Sequence, residues 1–260
     1  MNQPTTEKQT EQLLSLLSGS KLPTSGEFKK LVTAIDSHTV LAKVFLLEGT
    51  PYVFKASPMK YVIFREQVAE RFDVGSQDVC IVGSAKLGFS PSPTDKYGRS
   101  FLETSDVDVV IISEQLFHQG SSELFKYLNH VGPTSSDVRA ALRDQNKENI
   151  SVDLDEWANV KDAIRNYVYN NFNPGLLPDD NVFRNDVFEK ISSTAGLFLA
   201  LEPQVFVSKI RCRFFRTWKA AEEYYANSLR QLSYFLSQNE SSPTEVEGGS
   251  SGDEKRKKDA

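Results

Sequence analysis

Two carboxylates stand two residues apart in the run Ser105-Asp106-Val107-Asp108-Val109-Val110-Ile111. The apolar stretch they open is continuous and β-branched, the pattern of an inner strand. Residues two apart on a strand share a face, so Asp106 and Asp108 are expected to project together while Val107 turns away. Acids held this close repel unless a cation stands between them. A hard divalent ion such as Mg2+ or Mn2+ takes carboxylate and phosphate oxygens together, which makes this pair a candidate metal site for phosphoryl chemistry. Upstream, Val79-Cys80-Ile81-Val82 runs into Gly83-Ser84 and reads as a buried strand feeding a tight turn. Glycine permits close approach of another group to the backbone, and successive N–H groups in such a turn can form an anion-binding concavity. With the Ser84 hydroxyl and the Lys86 ammonium, that turn suits a triphosphate. Downstream, Arg211 and Arg213 alternate on a strand-like stretch from Val205 to Phe215 and, with Arg216, could line a basic wall for phosphates.

A strand ending in Gly-Ser, followed after a loop by a strand opening Asp-x-Asp, resembles the signature of the DNA polymerase beta-type nucleotidyltransferase superfamily. The residues that carry it are Val82-Gly83-Ser84 and Ser105 to Ile111. The stretch Gly83 to Gly88 looks like the bacterial branch that holds oligonucleotide-signal synthases and the minimal nucleotidyltransferases of toxin–antitoxin pairs. Beside the minimal members, the loop Phe89 to Thr104 is an insertion. The chain is also similar to bacterial proteins of this superfamily with a C-terminal Arg-x-Phe/Tyr-Arg-x-Trp element, here Arg213 to Trp218.

The resemblance implies an α+β fold, a nucleotidyltransferase-like mixed β-sheet flanked by helices with helical N- and C-terminal additions. It implies an enzyme that moves a nucleotide from an NTP to an acceptor, which could be a protein, an RNA or another nucleotide. Asp106 and Asp108 would hold Mg2+ (or Mn2+) as catalytic and metal-ligating residues, and Gly83, Ser84, Lys86 and Arg213 would seat the NTP. The alternative is a family-fold protein without activity that acts as a nucleotide sensor or partner subunit. Bacterial antiviral defence or toxin neutralisation, with RNA or a protein encoded nearby as partner, follows from the resemblance alone. The family carries a third carboxylate on a later strand, but Val205 to Phe215 contains no acid and offers Lys209, Arg211 and Arg213 instead. Asp153, and after it Asp155, alternate with apolar residues in Ile150 to Asp155 and are the candidates for that role; they could equally cap the helix that carries Trp157.

These residues need elements to hold them. Ser57-Pro58 predicts a helix start, and Tyr61, Phe64, Val68 and Phe72 form one apolar stripe with Gly75 as the stop. Phe28, Leu31 and Ile35 recur at helical spacing, whereas Val44, Leu46 and Tyr52 suit helix or strand alike. Residues 85–105 read mainly as loop. Helices are predicted over Glu114 to Val131, Asp137 to Lys147, Glu156 to Phe172 and Asp186 to Leu201. Thr217 is placed to cap a last helix that buries Trp218, Ala221, Tyr225, Leu229 and Leu232. Tyr224, Tyr225 and Trp218 read as core rather than as base-stacking platforms.

Composition bounds the rest. At 260 residues, 39% hydrophobic and 25% charged, the chain can bury a real core. The net charge of -5 argues against nonspecific duplex binding. Cys80 and Cys212 have no ligand spacing and read as reduced thiols, and His38, His118 and His130 are scattered. The polar start from Met1 to Thr10 lacks a signal-peptide core, and no apolar run reaches bilayer length; the expectation is a cytoplasmic protein that does not engage membranes. The domain reading is a polar or helical extension over 1–24, a nucleotidyltransferase-like domain over 25–236, and a tail over 237–260 too poor in apolar residues to fold.

Overall fold

The computed structural model describes residues 22–102, 104–131, 162, 164–203 and 209–240. Its centre is a mixed sheet of four strands, β1 (Val79–Val82), β2 (Val107–Ile112), β3 (Asn171–Phe172) and β4 (Ile210–Phe215), in the order β1-β2-β4-β3. β2 pairs antiparallel with β1 and parallel with β4; β3 closes the far edge antiparallel to β4. The helices are α1 (Ser25–Ala34), α2 (His38–Leu41), α3 (Pro58–Phe72), α4 (Gly83–Leu87), α5 (Glu114–Val131), α6 (Val182–Leu201) and α7 (Trp218–Glu240). The result is an α+β architecture with a mixed sheet and flanking helices, as the sequence predicts at that level. None of the described helices is long and apolar enough to cross a membrane.

Strand alternation divides the core. Val79, Ile81, Val107, Val109, Ile111 and Phe214 face α3, α5 and α6 in the largest cluster of buried side chains. Cys80, Val82, Val110, Ile112 and Phe215 face the other way, onto Ala220 and Ala221 of α7. Asp108, Arg211 and Arg213 share the parity of this second face. Both thiols are free, buried and pushed up by that burial, Cys80 to about 12. A third cluster packs α1 and α2 against the far half of α7 through Phe28, Leu31, Leu229 and Leu232.

The predicted elements recur with informative shifts. α1 begins with a capping box, Thr24 and Glu27 each bonded to the other's backbone N–H. The ambiguous stretch around Val44 is a π-helical turn, Ala42–Leu47, that buries Phe45, Leu46 and Leu47. α3 stops at Asp73 in the left-handed region, two residues before the expected glycine. The turn after Gly83 winds into the short helix α4. The predicted helix over Glu156 to Phe172 ends early. Asn170 takes φ 53°, a conformation asparagine tolerates, and Asn171 and Phe172 pair with β4 instead. The Arg216 N–H donates to the Asn170 carbonyl at 2.9 Å and fixes that edge. Thr217 caps α7 through its hydroxyl, which accepts from the Ala220 N–H at 3.2 Å. α7 runs to Glu240, past the composition change at Ser237, because exposed polar residues can extend a helix already anchored by Leu232 and Leu236. The helix predicted over Asp137 to Lys147 lies outside the described residues, as do the segment 1–21 and the tail beyond Glu240.

Candidate functional site

The register of three strands places the candidate residues in one row. Val82, the last residue of β1, pairs with Asp108, and Asp108 pairs with Arg211 of β4. Neighbouring strands lie about 4.8 Å apart, so the Asp108 carboxylate stands between the Gly83 turn on one flank and the Arg211 guanidinium on the other. One step along β4, Arg213 pairs with Val110. The row opens into a cleft of about 570 Å3 whose walls include Gly83, Ser84, Asp108, Lys209, Arg211 and Arg213. Tyr224, Tyr225 and Ser228 of α7 close one side, and Ser90-Pro91-Ser92-Pro93 of the long β1–β2 loop another.

Gly83 is required by this geometry. Its φ is +68°, and a β-carbon built on it would stand 2.9 Å from Oδ2 of Asp108. The carboxylate therefore packs directly on the glycine backbone. Burial raises the Asp108 pKa above the ordinary value; Arg211 and Arg213 pull it down and Asp106 pushes it up, without reversing the effect of burial. Asp106 itself turns to Arg211, whose Nη2 lies 2.6 Å from its Oδ2. Asp106 and Asp108 thus come to one end of β2 as predicted, but a guanidinium already neutralises the first of them.

The basic side differs residue by residue. Arg211 is well exposed, with 61% of its side chain accessible. Arg213 is held in place: its Nη1 donates to the Tyr224 hydroxyl at 2.6 Å and reaches the Asn171 Oδ1 at 3.5 Å, and the guanidinium lies 4.9 Å from the centre of the Tyr224 ring. Arg216 leaves the cleft for Glu114, with which it makes bonds at 2.6 and 2.9 Å, holding that carboxyl below its usual range. Lys86 is also elsewhere. It is 1% exposed, its ammonium donates to the carbonyls of Glu48 and Gly49, the latter at 2.8 Å, and burial lowers its pKa to about 8. Its charge is spent on tying the Glu48–Gly49 backbone to α4, away from Gly83 and Ser84. Asp153 and Asp155 lie outside the described residues.

Two features escaped the sequence. Tyr224 and Tyr225, expected as core, are half-buried and line the cleft, where Tyr224 positions Arg213. Their spacing in α7 is that of any apolar stripe, so nothing local marked them. The Ser-Pro-Ser-Pro stretch carried a weak signal, its prolines indicating a stiff loop. Among the described residues, no three His, Cys, Asp or Glu side chains cluster as a metal cage. A divalent ion held mainly by phosphate and water needs only one or two carboxylates, and Asp106 with Asp108 fits that use. No protein-family model, no curated protein and no solved structure matches this chain.

Proposed function

We propose that the cleft binds a nucleoside triphosphate with a divalent cation and that the protein is a nucleotidyltransferase, passing the nucleotide from the NTP to an acceptor. The observation that carries this reading is the contact of Gly83 with Asp108, a glycine turn and a carboxylate joined at the ends of two adjacent strands and opening on a cleft to which Lys209, Arg211 and Arg213 contribute. Gly83 and Ser84 seat the triphosphate. Arg213, held by Tyr224, offers a fixed positive charge to its phosphates. Asp106 and Asp108 would hold Mg2+ or Mn2+, which when bound supplies charge to the phosphate oxygens as bonds to phosphorus change. For the metal to use Asp106, Arg211 must release it; the exposed guanidinium is free to swing onto a phosphate. The fold, the resemblance of Gly83-Ser84 and Asp106-Val107-Asp108 to the nucleotidyltransferase signature, and the cleft's charge all support the reading. RNA or a partner protein as acceptor, and a role in bacterial defence, rest on the resemblance alone.

Calorimetric titration of each of the four NTPs, with and without Mg2+, tests it. Binding is expected to tighten at least tenfold with the ion, and that gain is expected to vanish in the Asp106→Ala, Asp108→Ala double variant. Metal-coupled binding that survives the double variant would sink the proposal. The Arg211–Asp106 ion pair favours a second reading, a nucleotide-binding or partner subunit without transfer activity, since a guanidinium there neutralises the acids much as a metal would. Release of pyrophosphate from bound NTP separates the two: a protein that binds Mg2+ and NTP but releases none, with any acceptor, is the second kind.

A further inference from the structure

The acceptor side of the cleft has a character of its own. Transfer to a hydroxyl requires a base to remove its proton. The described groups on the β4 flank are poorly suited to that task. Asp106 is held by Arg211 at 2.6 Å, the Tyr224 hydroxyl accepts from Arg213 at 2.6 Å, and the charged side chains that β4 and the residue before it bring to the wall, Lys209, Arg211 and Arg213, are all cations. In-line displacement puts the attacking and leaving oxygens on opposite sides of the phosphorus. β2, with Asp108, lies between β1 and β4, so a triphosphate seated against Gly83 and Ser84 would release its pyrophosphate on the β1 side and take the attacking atom from the β4 flank. That flank presents Lys209 and Arg211, both exposed, two residues apart and so about 6–7 Å from each other along the strand.

We propose that the acceptor is a phosphate monoester, bound on the β4 flank by Lys209 and Arg211 and attacking through an oxygen that is already an anion. The inference rests on the nucleotidyltransferase reading above and names the acceptor class of that same site. One acceptor oxygen forms a bond to the α-phosphorus of the NTP. The bond from that phosphorus to the α,β-bridging oxygen breaks, and its electron pair leaves on pyrophosphate. No proton moves, so no base is needed, and the product is a phosphoanhydride joining the acceptor phosphate to the nucleoside monophosphate. Two cations suit a dianionic monoester better than a single carboxylate, and the planar guanidinium matches phosphate oxygens in pairs. Arg211 then has two successive partners, Asp106 as in this structure and the acceptor phosphate once it binds.

The test uses the full-length chain in two arms. The first arm is the NTP and Mg2+ titration already described; if no NTP binds, the transferase reading falls and this inference with it. In the second arm, protein saturated with Mg2+ and a non-hydrolysable α,β-methylene analogue of the NTP that binds is titrated with ribose 5-phosphate and with a 5′-phosphorylated hexaribonucleotide. Ribose and the 5′-hydroxyl hexamer are the comparators, and the two phosphorylated probes separate a small-molecule acceptor from an RNA end. At least one phosphorylated probe is expected to bind ten times more tightly than its comparator. Arg211→Gln and, separately, Lys209→Gln are expected to erase that preference while the melting temperature stays within two degrees. With α-labelled NTP in place of the analogue, label is expected to join the phosphorylated probe in a form that alkaline phosphatase does not cleave. Equal binding of probe and comparator, a preference that survives both substitutions, or label transferred to the 5′-hydroxyl hexamer would each overturn the inference while leaving the nucleotide site standing.

Discussion

Replacing Gly83 with alanine tests the centre of the site with a single methyl group. Two penalties add. A non-glycine residue in the left-handed region costs roughly 1–2 kcal/mol, and Gly83 has φ +68°. The new β-carbon would also lie 2.9 Å from Oδ2 of Asp108. That carboxylate is no loose chain end: it hangs on an inner strand with Arg211 and Gly83 on either flank, so it has to leave its rotamer, at roughly 0.5–1.5 kcal/mol. The smaller entropy of an unfolded chain with alanine returns about 0.4–1 kcal/mol. The net loss is about 0.5–3 kcal/mol. At about 2–4 °C per kcal/mol for a domain of this size, the melting temperature should fall by at least about 1 °C. Scanning calorimetry measures it, with Gly196→Ala as the matched control. Gly196 lies within α6, a β-carbon there meets nothing within 4 Å, and alanine should stabilise by about 0.5–1 kcal/mol. Because the displaced carboxylate is the proposed metal ligand, Gly83→Ala should also weaken Mg2+-coupled NTP binding at least tenfold. A Gly83→Ala protein that melts like the parent and keeps that coupling would refute the placement of Asp108 against the turn.

Asp108→Asn should raise the melting temperature at pH 7 while abolishing metal-coupled NTP binding. The raised pKa means the folded state keeps the proton to higher pH than the unfolded chain, so this group loses stability as pH rises from the ordinary carboxyl value through the raised one, and asparagine removes that loss; an unchanged or lower melting temperature at pH 7 would contradict it. Lys86→Met should lower the melting temperature and leave NTP affinity within threefold, since the ammonium serves the Glu48 and Gly49 carbonyls; a large loss of affinity at unchanged stability would return Lys86 to the nucleotide site. For the same residue, the unfolded chain holds more protons between about pH 8 and 10.5. The parent should therefore gain stability relative to Lys86→Met as pH rises through that window, and a difference that shrinks would contradict the assignment. Removing 241–260 should leave the melting temperature within two degrees, as its composition predicts; a larger drop would show that the segment packs.

What could be read in advance was local. Apolar runs and their parity marked β1 and β2, the Ser57-Pro58 start and the stripe from Tyr61 to Phe72 marked α3, and Thr217 marked the start of α7. In each case the signal and the structure span a handful of neighbouring residues. The misplacements involve a distant partner. Asn171 and Phe172 leave the helical pattern because β4, some forty residues on, has an edge to pair. Lys86 follows Gly83-Ser84 by two or three residues, but five residues of helix turn it toward the carbonyls at Glu48 and Gly49. A charge near a phosphate-binding turn in sequence is no guide to its direction once that turn winds into a helix.

The acidic pair shows the same limit at the level of chemistry. Alternation placed Asp106 and Asp108 at one end of β2, and their repulsion pointed to a divalent cation; the positive group on Asp106 in the structure is a guanidinium, that of Arg211. Alternation could not single it out, because the candidate cations lie about a hundred residues away and only the parallel register of β4 on β2 selects among them. Shifted by one residue, β4 would set Cys212 opposite Asp108 and turn Arg211 and Arg213 away from the cleft, since a one-residue slip exchanges the two faces of a strand. The apolar half of β4 fixes the register: Cys212 and Phe214 have to reach the α3 face, while Phe215 packs against the first turns of α7. Core packing thus carries two arginines to the acids, and Tyr224 of α7 then holds one of them still while the other stays exposed. The arginine left exposed is the one on Asp106, so the cleft keeps a cation that can exchange partners beside one that cannot.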